Sequence, residues 1–215
     1  MSSPHVRIVK ARKMDEGWEL EEEDIIEAVE VLKRGGLVVY PTDTLYGLGV
    51  DPYDGRAVER LYRVKQRPHG EPVSIIVSGL EEAQRVARLS QKALEVWRSF
   101  MPGPLTLILE ATPEAPPGPI SKDGVLGVRM PGHDVPLILA REFGPLTATS
   151  ANLHGQAPPR TVEESMSQLG TEATLYVDAG PCPLGVESTV LDLTRDQTTI
   201  KREGALDRKE LERYG

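Results

Sequence analysis

Residues 37–49 read LVVYPTDTLYGLG, an apolar run that changes abruptly into hydroxyl and carboxylate side chains. The apolar run 37–40 predicts a buried strand, which ends at the following proline because proline cannot donate to a sheet ladder. Polar groups at the carboxyl end of a strand are well placed to line a crevice, and a glycine-rich turn is expected from Gly47 onward. The alternative is an ordinary turn in which Thr42 and Asp43 bond to their own backbone.

Helical and extended patterns alternate around this stretch, and extended patterns cluster toward the end of the chain. The apolar spacing predicts helices near 19–34, 55–64, 80–88, 90–100, 134–142 and 162–169, with a short charged helix last. It predicts strands near 37–40, 73–77, 105–110, 125–130, 146–149, 173–178, 188–193 and 198–203, with a proline-rich loop at 112–119. This arrangement favours an α/β fold of the mixed α+β kind, a twisted mixed parallel and antiparallel sheet with flanking helices.

The chain has 215 residues, a single cysteine at Cys182 and a net charge of −8. Its length fits one domain, and a lone cysteine cannot form an internal disulfide. No apolar run approaches the roughly 18–20 residues that cross a bilayer, and the apolar segment of a secretory signal is missing. We therefore expect a soluble, cytoplasmic protein without membrane contact, whose acidic charge disfavours bulk binding to nucleic acid.

Several common enzyme motifs are missing from the sequence. It contains neither a Walker phosphate loop nor a G-x-S-x-G nucleophile elbow, and residues 47–49 lack the third glycine of a dinucleotide fingerprint. The histidines are scattered and only one cysteine is present, so a zinc site is not expected. The sequence therefore indicates neither a covalent nucleophile nor a metal ion held by protein side chains.

Basic residues accompany the second predicted helix. Arg56, Arg60, Arg63 and Arg67 would share one helix face if the helix continued, which is typical of a solvated surface. Lys65 and Arg67 also lie just before a proline that ends the helix, so their side chains are expected to be exposed there. Two cations at a helix end could bind the phosphates of a nucleotide.

Two more predicted strands carry polar residues. The segment 147–152 reads TATSAN, and Asn152 is the sole asparagine of the sequence. Small side chains let a ligand approach the backbone, and the Asn152 amide offers donors for phosphate or ribose oxygens, although an ordinary loop start has the same composition. Arg129 lies inside the apolar strand 125–130, where it either points to solvent or turns inward and needs an anionic partner.

Taken in order, these segments resemble one family. They are PTDTLYGLG, KQRP, PGPLTLIL, GVRMP, TSAN, ESTVLDLT and KREG, and their ordered combination over about residues 20–206 is similar to the YrdC-like family in its short form. The resemblance implies a twisted mixed sheet with a positively lined concave cavity. It also implies a single domain over 1–215, without the additional C-terminal domain of longer members.

The resemblance further implies a reaction. L-Threonine, bicarbonate or carbon dioxide, and ATP would give threonylcarbamoyl-adenylate and pyrophosphate, with Mg²⁺ carried mainly by the ATP phosphates. The product would supply the N6-threonylcarbamoyladenosine modification of tRNA, which a downstream threonylcarbamoyl transferase complex completes.

The positions that match the family's site fall into two groups. The catalytic pair is Lys65 and Arg67, and the ATP-binding positions are Lys65, Arg67, Thr149, Ser150, Asn152 and Arg202. The positions for threonine and carbamate are Thr42, Thr44, Arg129 and Ser188.

Two other functions stay open at this point. The arginine face could make the chain a non-catalytic maturation factor that contacts tRNA or double-stranded RNA, although the net charge of −8 opposes this. The second is a related enzyme that makes carbamoyl-adenylate from carbamoyl phosphate, a reaction found in domains of larger proteins. The expected absence of fused domains disfavours it.

Overall fold

The computed structural model describes residues 6–214 of the chain. The α-helices are α1 (Glu22–Lys33), α2 (Gly55–Lys65), α3 (Leu80–Val86), α4 (Gln91–Phe100), α5 (Asp134–Phe143), α6 (Val162–Leu169) and α7 (Arg208–Leu211). The β-strands are β1 (Arg7–Lys10), β2 (Arg12–Lys13), β3 (Trp18–Glu19), β4 (Val38–Tyr40), β5 (Gly47–Gly49), β6 (Ser74–Ile76), β7 (Ala87–Arg88), β8 (Leu105–Ala111), β9 (Val125–Arg129), β10 (Leu146–Ser150), β11 (Leu175–Asp178), β12 (Thr189–Asp192) and β13 (Thr199–Arg202). Short 3-10 segments occur at Gly118–Gly124, Gly170–Glu172 and Glu212–Tyr214.

Within residues 6–214, an 11-stranded sheet has the order β1-β11-β4-β5-β10-β6-β9-β8-β12-β13, with β7 paired to the end of β8. The pairs β1–β11, β11–β4, β6–β9 and β8–β12 are parallel, and the other neighbours are antiparallel. A separate hairpin joins β2 and β3. The predicted mixed sheet is therefore confirmed.

Successive residues of the central strands are buried on opposite faces of the sheet. Val38 and Tyr40 pack in one core with Leu139 of α5, whereas Val39 belongs to a second core with residues of α2, α4 and α6. Side chains alternate along a strand, so a strand covered on both faces is a continuous apolar run, as β4 is. The predicted flanking helices are confirmed, and they cover both faces.

The segment Gly47–Gly49 was expected to be a turn, but it is strand β5 near the middle of the sheet. It pairs with β4, where Tyr40 lies opposite Gly47, and with β10. The Tyr40 ring lies over both glycines: a Cβ on Gly47 would be 2.5 Å from Tyr40 Cε2, and one on Gly49 would be 2.8 Å from Cε1. Glycine is needed here for the close approach of a ring to the backbone, and not for a turn.

The limits of α2 follow from local chemistry. The Asp54 side chain accepts a hydrogen bond from the backbone N–H of Arg56 at 2.9 Å and caps the helix start. Gln66, with φ of 52°, adopts the left-handed conformation and turns the chain away after Lys65. The helix does not continue to Arg67, so the condition for a shared face of four arginines is not met, and the predicted end of the helix before Pro68 agrees with the structure.

The described chain extends beyond the predicted core of 20–206 at both ends. β1 precedes it and pairs with β11, and Leu211 of α7 is buried. Residues 1–5 and Gly215, which belong to the predicted domain 1–215, lie outside the described residues.

Among the helices of residues 6–214, none combines the length and the apolar character needed to cross a membrane.

Replacing Gly47 with alanine should destabilise the fold, because the new methyl group would collide with the fully buried ring of Tyr40. Overpacking of this kind costs about 1–3 kcal/mol of unfolding free energy. Gly55→Ala is the matched control, because a Cβ at the start of α2 meets nothing within 4 Å. Urea denaturation measures both variants, and equal unfolding free energies would contradict the close-approach explanation.

Candidate active site

A cavity of about 330 Å³ is lined by the β4–β5 connection and by residues on or beside β6, β8, β9, β10, β12 and β13. The predicted residues that line it are Thr42, Thr44, Arg67, Arg129, Thr149, Ser150, Ser188 and Arg202. A smaller recess of about 230 Å³ shares Arg67 and Ser150 with it and adds Lys65 and Asn152. The structure thus brings every predicted site residue to one of two adjoining spaces, the main cavity and the side recess.

The hydroxyl group of Thr42 holds the turn between β4 and β5. It donates to the carbonyl of Leu45 at 2.7 Å and accepts from the backbone N–H groups of Thr44 and Leu45 at 3.0 and 3.1 Å. The ordinary-turn interpretation is therefore right for Thr42, whose hydroxyl is used inside the turn. Contact of Thr42 with threonine stays a prediction.

Asp43 behaves differently and pairs with Arg129 of β9. Nη2 of Arg129 donates to Asp43 Oδ1 and, at 2.8 Å, to Thr44 Oγ1. The side chains of Arg129 and Asp43 are only 10% and 8% exposed. Arg129 therefore turns inward and has the anionic partner that a buried charge requires. Burial lowers the pKa of Arg129, and the Asp43 carboxylate opposes only part of that shift. The guanidinium nevertheless keeps its charge, because arginine does not lose its proton in proteins.

The Arg129–Asp43 pair keeps unused hydrogen-bonding capacity. Arg129 Nε and Asp43 Oδ2 are buried and have no hydrogen-bond partner among the described residues. The bonds to Asp43 and Thr44 both come from Nη2. Arg129 lines the main cavity, so its Nη1 donors are available to a ligand there. Because the pair is neutral overall, it would orient a ligand carboxylate through donors more than it would attract one through net charge.

Ser188 connects β8 with β13 along another wall of the main cavity. Its hydroxyl lies 2.9 Å from Thr106 Oγ1 and accepts from Arg202 Nη2 at 3.1 Å. Its carbonyl oxygen accepts from Nε and Nη2 of Arg202 at 3.1 and 2.9 Å. Residues of three strand regions thus form one hydrogen-bonded row facing the cavity.

Lys65 ends α2 and is 2% exposed, so the expectation of an exposed cation at the helix end is wrong for this residue. Its ammonium group donates to the carbonyl oxygens of Ser150 and, at 2.7 Å, of Asn152. Burial, the larger cause, and the nearby charge of Arg67 together lower the pKa of Lys65 to about 7, although Glu187 opposes them. A phosphate bound beside Lys65 would favour the protonated form.

Asn152 bonds within the protein through both of its amide protons. Nδ2 donates to the carbonyl oxygens of Leu153 at 2.9 Å and Gln156 at 2.8 Å, and Oδ1 lies 3.4 Å from Lys65 Nζ. The expectation that these protons are free for phosphate or ribose oxygens is therefore wrong. Asn152 shapes the side recess by holding the loop that follows it and by contacting Lys65. Its contribution to ATP binding stays a prediction.

Arg67 borders both spaces, on the loop that follows α2. Its Nη2 donates to the carbonyl of Pro72 at 3.1 Å, and its Nε lies 3.3 Å from Glu71 Oε2. The guanidinium is 21% exposed, so it is held in place and still reachable by a ligand.

Sequence reasoning missed Thr106, Glu187 and the ion-pair role of Asp43. Thr106 is a polar residue inside an apolar strand, the same signal that singled out Arg129. Glu187 is adjacent to Ser188, which was its only sequence signal. Asp43 was noticed, but its partner on β9 depends on sheet order, which the local sequence does not reveal.

Comparisons with known proteins identify the family of the chain. Residues 30–204 match the family model described as "Telomere recombination", which groups Sua5, YciO and YrdC. A Mycobacterium tuberculosis protein named putative threonylcarbamoyl-AMP synthase is 38% identical over 181 residues, covering 84% of this chain and 83% of that protein.

Two solved structures have the same fold. The crystal structure of Pyrococcus abyssi Sua5 complexed with L-threonine gives a TM-score of 0.89 at 32% identity and covers 96% of this chain. The chain spans 60% of the length of that protein. Escherichia coli YciO gives a TM-score of 0.83 at 30% identity, covering 95% of this chain and 98% of YciO. On these sequence and structural matches, the chain belongs to the Sua5/YciO/YrdC family.

Proposed function

We propose that the chain joins L-threonine, bicarbonate or carbon dioxide, and ATP to give threonylcarbamoyl-AMP and pyrophosphate, with water as a further product when bicarbonate is used. The observation that carries this proposal is the pair of adjoining spaces. One holds the neutral, donor-rich Arg129–Asp43 pair, and the other is bordered by Lys65 and Arg67. An amino acid carboxylate fits the first, and a polyphosphate fits the second.

In the proposed reaction the amine of threonine takes up carbon dioxide and loses a proton, which gives a carbamate. A carbamate oxygen then attacks the α-phosphorus of ATP. The bond from that phosphorus to the bridging oxygen of the β-phosphate breaks, and its electron pair leaves with pyrophosphate. This adenylyl transfer makes the proposed enzyme a nucleotidyltransferase.

The chain's own contribution is alignment and charge stabilisation at the phosphorus. Lys65 and Arg67 would donate to phosphate oxygens, and Nη1 of Arg129 would hold the carboxylate of threonine. The carbamate itself is the nucleophile, so no protein thiolate is required. Consistent with this, burial raises the pKa of the Cys182 thiol to about 11.

Magnesium belongs to the substrate in this proposal. In the part of the chain that the structure describes, no three His, Cys, Asp or Glu side chains are grouped so that they could hold a metal ion. We expect Mg²⁺ to arrive on the phosphates of ATP, because this ion keeps several waters and is seldom held by protein side chains alone.

The proposal extends to a cytoplasmic location and to consumption of the product by a separate threonylcarbamoyl transferase complex acting on tRNA. Direct contact with tRNA or double-stranded RNA would fall to the exposed side of α2, where the Arg56 side chain is 97% exposed. We rank RNA contact second, because the acidic chain repels a polyanion at long range.

Pyrophosphate release should require L-threonine and bicarbonate together. The protein is incubated with ATP, both co-substrates and Mg²⁺, pyrophosphate is measured, and the adenylate is sought by mass spectrometry. Omission of either co-substrate should reduce release to background. Equal pyrophosphate release without threonine would contradict the proposal. Release when carbamoyl phosphate replaces threonine and bicarbonate would favour the related carbamoyl-adenylate reaction.

Arg67→Ala should weaken ATP binding by about 1.5–3 kcal/mol, the value of a charge-assisted hydrogen bond, with little change in thermal stability. Arg63→Ala is the matched control, because Arg63 is exposed on α2 and borders neither space. Calorimetric titration with ATP measures both variants. If they bind ATP with equal affinity, Arg67 is not a phosphate ligand.

Asn152→Asp should lower both stability and adenylate formation. Aspartate cannot donate to the carbonyls of Leu153 and Gln156, and the loss of these two partly buried hydrogen bonds costs about 0.5–1.5 kcal/mol each. The new carboxylate would also repel phosphates near Lys65, so we expect a loss of at least about tenfold in rate, equivalent to 1.4 kcal/mol.

Gln168→Glu is the control for Asn152→Asp. The Gln168 amide, on α6, donates at 2.9 Å to the carbonyl of Ala157 in the loop that follows Asn152, and Gln168 does not line the side recess. It should lose stability while keeping ATP affinity. Wild-type activity of the Asn152→Asp variant, or an equal loss of activity in both variants, would show that Asn152 has no particular role toward ATP.

A further inference from the structure

Arg202 has one edge that can reach a ligand, and a carboxylate already occupies it. Its Nε and Nη2 are bonded to the carbonyl and hydroxyl oxygens of Ser188, which fixes that side of the guanidinium to the protein. Nη1, on the other side, donates to Glu187 Oε1 at 2.6 Å. A phosphate that is to be held by Arg202 would therefore meet Nη1, which already donates one of its two N–H groups to Glu187.

Glu187 stands at the junction of the two spaces. It lines both the main cavity, with Arg202, and the side recess, with Lys65 and Arg67. Its negative charge also acts on Lys65, whose pKa it raises. Arg202 and Lys65, two of the cations predicted to bind ATP, thus share one internal anion.

The bond between Glu187 and Arg202 is open to exchange. The two side chains are 45% and 41% exposed, and ion pairs this accessible to water contribute little to stability. A polyphosphate with several negative charges can therefore replace a single carboxylate on Nη1 at small cost to the fold.

We propose that Glu187 is an internal competitor of the substrate polyphosphate, holding the ligand-facing edge of Arg202 until a polyphosphate displaces it. This inference rests on the proposed function, since it takes ATP as the ligand. A weakly charged phosphate would displace Glu187 less effectively than a polyphosphate. When pyrophosphate leaves, the Glu187 carboxylate binds Nη1 of Arg202 again.

Glu187→Gln tests the inference, because glutamine keeps the shape of the side chain and removes its charge. Calorimetric titration with inorganic pyrophosphate, and separately with ATP, should show about fivefold tighter binding than wild type, the size expected when an exposed ion pair no longer competes. Glu203→Gln is the matched control: Glu203 is also exposed and pairs with Arg208 at 2.8 Å, away from both spaces. The Glu203→Gln variant should bind pyrophosphate with the affinity of the wild-type protein.

A double-mutant cycle tests the route through Arg202. In an Arg202→Gln background, Glu187→Gln should give no further gain in affinity. Unchanged or weaker pyrophosphate binding by the Glu187→Gln variant would overturn the inference. An equal gain in affinity from Glu187→Gln in the Arg202→Gln background would overturn it as well. Wild-type protein that binds neither ATP nor pyrophosphate would overturn the proposed function itself, so the two failures are distinguishable.

Discussion

The position of the Tyr40 ring over Gly47 and Gly49 is the constraint on which the rest of the molecule depends. The ring covers two backbone positions of β5, and its hydroxyl donates to the carbonyl of Thr147 on β10 at 2.6 Å. One side chain therefore ties β4, β5 and β10 together near the centre of the sheet. The turn from β4 to β5, which carries Asp43, has little freedom as a result, and it holds that carboxylate against β9. A side chain at Gly47 or Gly49 would separate the strands and move one wall of the main cavity.

Two buried cations of the site are stabilised in different ways, so they can act on a ligand in different ways. Arg129 faces a carboxylate, so its charge is permanent but locally cancelled. Lys65 faces the carbonyl oxygens of Ser150 and Asn152, which are dipoles without net charge. The positive charge of its ammonium group is therefore not cancelled by these partners and can attract an anion. Burial disfavours the charged form and lowers the pKa of Lys65. A chain with net charge −8 can in this way present a locally positive recess.

Much of the fold was predictable, because burial on both faces leaves a continuous apolar run such as 37–40 and helices keep their apolar spacing. β5 was not, since glycine has the same appearance in a turn and under an aromatic ring. Polar residues at strand ends, such as Ser150 and Ser188, were recognisable because they interrupt apolar patterns. Their partners were not: Asp43 meets Arg129 only through the order of strands in the sheet, and the local loop geometry that uses both protons of Asn152 has no sequence signature.

The pairing of β1 with β11 has a consequence for the way the chain is made. Arg7 lies opposite Leu175, so β1 cannot find its neighbour until the ribosome has made residue 175. β11 is also the link between β1 and β4, so the edge of β4 stays open during that time. Distant pairings of this kind close slowly and leave strand edges exposed in the meantime. Ser188 and Arg202 emerge later still, which makes their wall of the cavity the last to form during synthesis.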